Sequence, residues 1–225
     1  MADAVRQMFG RIAGRYDLVN RVLSAHRDVR WRDIALAMLP DGDGDALDLA
    51  CGTFDLALAA IAQGKAARVH GCDFCAPMLV AGAGKRRGMA VTAAVGDAMR
   101  LPYADGSFDL ALVAYGWRNF DDPAASAREL ARVLRPGGRL LILEFFRPRR
   151  LWPRLFYATF GRAVFPAVGR VLAGDAAAYH YLRESVRRFL DVSAADATLA
   201  QAGFAERRWR SFFGGVSNAV AAIRA

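Results

Sequence analysis

Cys51-Gly52-Thr53 follows a short apolar run, Ala46–Ala50, and precedes a helix-forming stretch opened by Asp55. A glycine turn between strand and helix presents backbone N–H groups to a ligand at the helix N-terminus. Asp73 stands 21 positions after Gly52, at the end of the next apolar run. That separation is close to the roughly 20 residues that bring a carboxylate to ribose hydroxyls. The pair predicts a nucleoside site, although many α/β proteins place an aspartate after their second strand by chance. "ACGTFD" at 50–55 holds one glycine where the dinucleotide fingerprint needs three, and no Gly-Lys-Ser/Thr phosphate loop is present. A single nucleoside without a pyrophosphate fits better than a dinucleotide.

Other chemistries find less support. The three cysteines, Cys51, Cys72 and Cys75, are odd in number and near strand ends, which argues for a reducing cytoplasm and against a disulfide framework. Cys72-x-x-Cys75 with His70 supplies at most three metal ligands, whereas a structural zinc site takes four, so no metal is expected. There is no Gly-x-Ser-x-Gly and no His-Glu-x-x-His, and His26 and His70 stand without a partner pattern.

The elements that must position the glycine turn are legible in the apolar pattern. Strands are expected at Ala46–Ala50, Arg68–Asp73, Val91–Val95, Phe108–Tyr115 and Arg139–Phe145, with helices from about Asp55, Pro77 and Pro123. Asp121-Asp122 can cap the last of these, Pro123 suits its first turn, and "RPGG" at 135–138 is expected to end it. This alternation predicts an α/β fold, a doubly wound and mostly parallel sheet with helices on both faces and ligands at the carboxyl ends of the strands. Residues 5–38 read as helical with a break near Ser24-Ala25-His26, before the turn-rich "PDGDGD" at 40–45. Residues 147–190 read as a helical insert, followed by a helix near 194–202 and a closing β-pair, "FAERRWRSF" and "GVSNAVAAIRA". The chain of 225 residues is expected to form one domain, with 1–39 as an N-terminal helical lid. Its net charge of +9 favours anionic partners, although a GC-rich genome also inflates arginine.

A series of segments carries a more specific message. "MFGRIAGRYDLVNRVLSAHRDVRWR", "LDLACGTFDL", "GCDFCAPML", "GDAMRLPYADGSFDLALVAYGWRNF", "RVLRPGGRLLILEFFRP" and "YHYLRESVRRF" follow in order across nearly the whole chain. The series resembles the ubiquinone/menaquinone-biosynthesis C-methyltransferase family. These are class I enzymes dependent on S-adenosyl-L-methionine, built on a Rossmann-like seven-stranded sheet. The resemblance implies that Gly52 and Thr53, with Asp55 at the helix start, hold the methionine end of that cofactor. It implies that Asp73 takes the ribose hydroxyls, Met78 packs near the adenine, and Asp97-Ala98 meets the adenine edge. Ala114 occupies a cofactor position where some members have serine. Phe54 replaces the glycine of the family's "GTGD", and Leu190 stands where proline is common. The Phe54 ring would either displace the methionine moiety or turn away and bury against sheet or lid, and the second is expected because Gly52 already makes the turn.

Methylating a ring carbon requires an activated ring aligned with an electrophilic methyl group. A hydroquinone becomes carbon-nucleophilic once one hydroxyl loses its proton. Arg118, just after strand four, could stabilise that phenolate and Asn119 could orient the hydroxyl; Arg118 could instead pair with Asp121 or Asp122. Glu144, ending strand five, is the carboxylate best placed for proton transfer in the cleft, or else a buried partner for an arginine. Tyr115, Tyr179 and Tyr181 are expected on the substrate side, unless such aromatic residues simply belong to the core.

The segment 147–170 interleaves six arginines with Trp152, Phe156, Tyr157, Phe160 and Phe165 and contains no acid. That mixture suits peripheral contact with a membrane holding a lipophilic quinol, and equally a plain lid helix. No RNA-binding module is recognisable, so nucleic acid is not an expected partner. An oligomer is compatible with the sequence. The leading expectation is C-methylation of a lipophilic quinol or related phenol; the rivals are a methyltransferase-like binding or scaffold subunit, and a methyltransferase for another aromatic compound.

Overall fold

The apolar runs become the centre of one sheet because they are hydrophobic on both faces and must be covered twice. In the computed structural model, which describes the backbone of residues 2–168 and 176–225 and the side chains of 3–159 and 180–225, the central strands are β1 (Asp45–Leu49), β2 (Arg68–Asp73), β3 (Val91–Val95), β4 (Phe108–Ala114) and β5 (Leu134–Glu144). They are joined to β6 (Phe204–Phe212) and β7 (Ser217–Arg224) in the order β3-β2-β1-β4-β5-β7-β6. β1 to β5 pair in parallel, and β7 runs antiparallel to both β5 and β6. This is the doubly wound, mostly parallel seven-stranded sheet expected from the sequence, and the closing β-pair lies where the sequence puts it.

Helices α4 (Asp55–Ala62), α5 (Ala76–Gly82), α6 (Pro123–Val133) and α9 (Val192–Gln201) flank the sheet. Two apolar clusters form its faces. One gathers Leu49, Val113, Trp117, Ile142, Phe146 and Phe204; the other gathers Leu36, Phe54, Val69, Leu112, Leu141 and Ala219. Asp122 caps α6 by accepting hydrogen bonds from the Ala124 and Ala125 amides at 2.8 and 3.0 Å, as its position before Pro123 suggests. One boundary differs. "RPGG" does not end α6 as a separate turn; it opens β5, which begins at Leu134 opposite Phe108 and resumes regular pairing with β4 at Arg139. Gly137, at φ 76°, lets the irregular start of the strand bend.

The N-terminal segment folds as α1 (Ala2–Ile12), a tight turn at Ala13–Arg15, α2 (Tyr16–Ser24) and α3 (Arg27–Leu36). The expected break is real: Ala25 and His26 both take left-handed conformations, at φ 49° and 60°. The segment 147–190 contains α7 (Leu151–Val168) and α8 (Ala176–Arg188). Strand order reverses around β1, whose neighbours are β2 and β4, and a crevice opens at their carboxyl ends.

Candidate active site

Two cavities meet at that edge. The first, about 440 Å³, is lined by Leu49 and Ala50 after β1, Asp73 and Phe74 after β2, Asp97, Ala98 and Met99 after β3, and Asn119 and Phe120 after β4. Asp73 is its anchor. One carboxylate oxygen accepts from the Gly52 amide at 2.9 Å and the other from the Cys75 amide at 2.9 Å. Burial raises the Asp73 pKa, and the amides of Cys75, Gly52 and Phe74 offset only part of that rise. A carboxylate has about four lone-pair sites, so these amides leave Asp73 acceptor capacity for a vicinal diol in the cleft that it lines. Asp97 is organised by its own turn, accepting from the Met99 amide at 2.9 Å.

The structure separates the glycine loop's residues by role. Gly52, at φ 54°, makes the turn and ties it to Asp73. Thr53 and Asp55 point toward the N-terminal helices instead of into the cleft. Thr53 Oγ1 donates to Asp17 at 2.6 Å, and Asp55 pairs with Arg21 at 2.6 Å and Lys85 at 2.8 Å. Burial alone would raise the Asp55 pKa; Lys85 and Arg21 reverse this and hold it below the usual range. Met78 is buried against Ala13 and Cys75, and Ala114 packs in the core, so neither lines the cleft.

Phe54 is fully buried with its ring turned away from the cleft. It occupies the left-handed region at φ 69° and sits between β2 and α5. A Cβ on Gly71 would meet the Phe54 ring at 2.6 Å and one on Gly82 would meet it at 2.7 Å. Those two glycines are the space the ring fills. Arg86 lies over it, 5.6 Å from the centroid.

The second cavity is apolar and aromatic, lined by Phe9, Ile12 and Tyr16, by Trp31 and Arg32 of α3, by Tyr115, Arg118 and Phe145 at the strand ends, and by Tyr157 and Tyr181 of the insert. Asn119 lines the first cavity and accepts a hydrogen bond from the Tyr181 hydroxyl of the second at 3.0 Å, so it stands at their junction. Tyr115 stacks on Phe145 with centroids 4.5 Å apart. The Tyr179 side chain lies outside the described residues, as do those of Phe160 and Phe165.

Arg118 does not pair with Asp121 or Asp122. It donates from Nη1 to Glu144 at 2.8 Å and to the Tyr115 carbonyl, and its backbone amide donates to Glu144 at 3.1 Å. Burial opposes the charge of Arg118, and Glu144 together with Tyr16 and Tyr181 more than restores it, so the guanidinium stays cationic. Glu144, as a cleft carboxylate, is corrected. It is wholly buried behind Arg118 and lines neither cavity, because β5 runs parallel beside β4 and ends next to the Arg118 backbone. It holds the Arg118 side chain and backbone amide in place.

Motif and spacing alone do not single out Tyr16, Asn20, Asp28 or Arg32. A signal exists, since Tyr16–Asn20 and Asp28–Arg32 are each four residues apart on a helix and so share a face. The cysteines are free and buried, and no cluster of three or more metal-ligating side chains occurs among the described residues.

The ubiE/COQ5 methyltransferase family pattern matches residues 1–224. A demethylmenaquinone methyltransferase from Thermus thermophilus is 44% identical over 206 residues, covering 89% of this chain and 92% of the relative. Another of that name from Mycolicibacterium paratuberculosis is 41% identical over 214 residues, covering 94% and 90%. A solved SAM-dependent methyltransferase from Thermotoga maritima superposes with a TM-score of 0.71 at 19% identity, covering 97% of this chain and 99% of its own.

Proposed function

Since the chain belongs to the ubiE/COQ5 methyltransferase family, we propose that it C-methylates a demethylmenaquinol-type naphthoquinol, using S-adenosyl-L-methionine. The observation that carries this reading is the junction of the two cavities at Arg118-Asn119, a nucleoside-sized cleft holding Asp73 and Asp97 on one side and an aromatic chamber on the other. The cofactor fits the first. Asp73 keeps acceptor capacity for the ribose, and Asp97-Ala98 lies where an adenine edge would be read. When bound, S-adenosyl-L-methionine supplies an electrophilic methyl group on a sulfonium.

The chain's own residues prepare the acceptor. The aromatic wall of Tyr115, Phe145 and Tyr157 holds a flat ring and excludes water. Arg118, fixed by Glu144, stabilises negative charge on the ring oxygen, and that charge makes the neighbouring carbon nucleophilic. Asn119, oriented by Tyr181, positions the ring oxygen against the cofactor cleft. That carbon takes the methyl group that the bound sulfonium would supply; the hydroxyl proton is given up to solvent as the acceptor enters, and the ring proton at the methylated carbon returns to the ring oxygen, which restores the aromatic hydroxyl. The test is methyl transfer from S-adenosyl-L-methionine to 1,4-dihydroxynaphthalene bearing a short prenyl chain, with product mass gain as readout. Asp73→Ala should weaken cofactor binding by about 1.5–3 kcal/mol. No mass gain with wild-type protein at saturating cofactor counts against the reading.

The N-terminal helices, residues 1–39, act as the lid in this proposal. They contribute Tyr16, Trp31 and Arg32 to the chamber and clasp the cofactor loop through Asp17–Thr53 and Arg21–Asp55.

The same proposal places the protein at a membrane surface, in the cytoplasm, where a prenylated acceptor resides. Leu151, Trp152, Leu155 and Phe213 are exposed together with Arg27, Arg150 and Arg154. Trp152 meets Phe213 edge-on at 5.7 Å, and Phe213 meets Phe156, which lines the chamber. No helix among the described residues is long and apolar enough to cross a membrane. Vesicles containing anionic lipid should therefore co-sediment more protein than neutral ones at low salt. The difference should shrink at about 0.5 M salt, where screening is strong. Equal recovery on both lipids would remove the arginines from the account.

A further inference from the structure

Among the described residues, three buried side-chain nitrogens have no hydrogen-bond partner: Nε of Arg32, Nε of Arg86 and Nε of Arg118. Arg86 lies over Phe54 and lines neither cavity. The other two arginines line the same aromatic chamber. Buried donors are nearly always satisfied, so two unmet N–H groups from two cations in one cavity point to a ligand with acceptors for both.

Arg32 is anchored as a binding group would be. It is 8% exposed. Its Nη1 donates to Asp28 at 2.7 Å and lies 3.7 Å from Asp55, so one edge of the guanidinium is fixed from behind. Arg118 is fixed in the same manner by Glu144 and the Tyr115 carbonyl. The guanidiniums flank one aromatic pair. Arg32 is 5.7 Å from the Tyr115 centroid, Tyr115 stacks on Phe145, and Arg118 is 5.7 Å from the Phe145 centroid. Tyr16 lines the same chamber as both guanidiniums.

We propose that Arg32 binds the acceptor directly: its Nε–H donates to the second oxygen of a dioxygenated ring, while Arg118 faces the oxygen next to the methylated carbon. The inference rests on the chamber being the acceptor site. It deepens that reading by making the second oxygen a requirement, so that a hydroquinol is selected over a simple phenol. A phenol of the same shape leaves the Arg32 donor buried and unpaired, and sites of this kind reject the analogue that lacks the matching group.

The test is an anaerobic titration of the protein, saturated with S-adenosylhomocysteine, against 1,4-dihydroxynaphthalene and against 1-naphthol. Wild-type protein is expected to bind the diol at least about tenfold more tightly. Arg32→Lys keeps the cation that pairs with Asp28 but has no Nε–H, and should bring the two affinities together. Its melting temperature and affinity for S-adenosylhomocysteine should stay near wild type. An unchanged ratio in Arg32→Lys, or equal weakening of both rings, overturns the assignment and leaves Arg32 as a strut of α3. The wild-type protein alone is a second check, because equal binding of the two rings also overturns it. Wild-type protein that takes S-adenosylhomocysteine and binds neither ring refutes the acceptor-site reading itself.

Discussion

Arg118→Lys is expected to lower kcat/KM for the quinol by about 10²–10³, with affinity for the cofactor changed by no more than about twofold. Nη1 of the guanidinium alone serves Glu144 and the Tyr115 carbonyl, which leaves the unpaired Nε–H for the acceptor oxygen. A lysine carries the same charge on a single nitrogen and cannot serve both ends. Removing one preorganised donor from a developing oxyanion costs about 2.7–4 kcal/mol in comparable sites, which is the quoted range in rate. Lysine keeps a cation opposite Glu144, so the penalty of a lone buried carboxylate, about 3–5 kcal/mol, is avoided and the fold should hold. Initial rates over a range of acceptor concentrations, beside a calorimetric titration with the cofactor, measure both halves. A rate within threefold of wild type would mean that Arg118 only braces the strand ends, and the chemistry would have to be sought elsewhere in the chamber.

Phe54→Gly should cost about 2–4 kcal/mol of stability without tightening cofactor binding. Two terms oppose each other. Deleting a fully buried phenyl ring leaves a cavity between β2 and α5 worth about 3–5 kcal/mol, whereas glycine relieves a left-handed backbone that strains any other residue by about 1 kcal/mol. The cavity wins because the walls on either side of the ring, Gly71 and Gly82, have no side chains to move in. Coupling gives a sharper check. Gly71→Ala alone should be strongly destabilising, since its methyl would meet the ring at 2.6 Å, and less so in the Phe54→Gly background, where the Cys51 Sγ at 2.9 Å still has to give. A double-mutant cycle from denaturant melts should show at least about 1 kcal/mol of coupling. Tighter cofactor binding without loss of stability in Phe54→Gly would show that the ring reaches the methionine end after all.

Both outcomes depend on contacts between residues far apart in the chain, at sites built from locally readable elements. Local chemistry was legible. The alternation of apolar runs and helices set the doubly wound sheet, Asp122 before Pro123 set a helix start, and the spacing of Gly52 and Asp73 placed a turn and a carboxylate at one crevice. Each depends on residues a few positions apart, or on the regular length of a strand–helix–strand unit. Arg118 and Asn119 were legible too, because they follow a strand whose carboxyl end must open on that crevice.

Partner choice was not legible. Arg118 had acids close by in sequence in Asp121 and Asp122, yet it pairs with Glu144, because strand order sets β5 beside β4. Thr53 and Asp55 stand in the glycine loop but face Asp17, Arg21 and Lys85, since α2 and the turn after α5 close over that side. The Phe54 ring could be placed only by knowing that glycines from β2 and α5 converge on it. Arg32 entered the chamber unannounced, because nothing within α3 tells which of its faces meets the strand ends. Periodicity reports which face of an element is buried, through contacts within three or four residues. Which element then covers that face depends on strand order and register, and these come from the summed packing of the whole chain rather than from any one stretch of it.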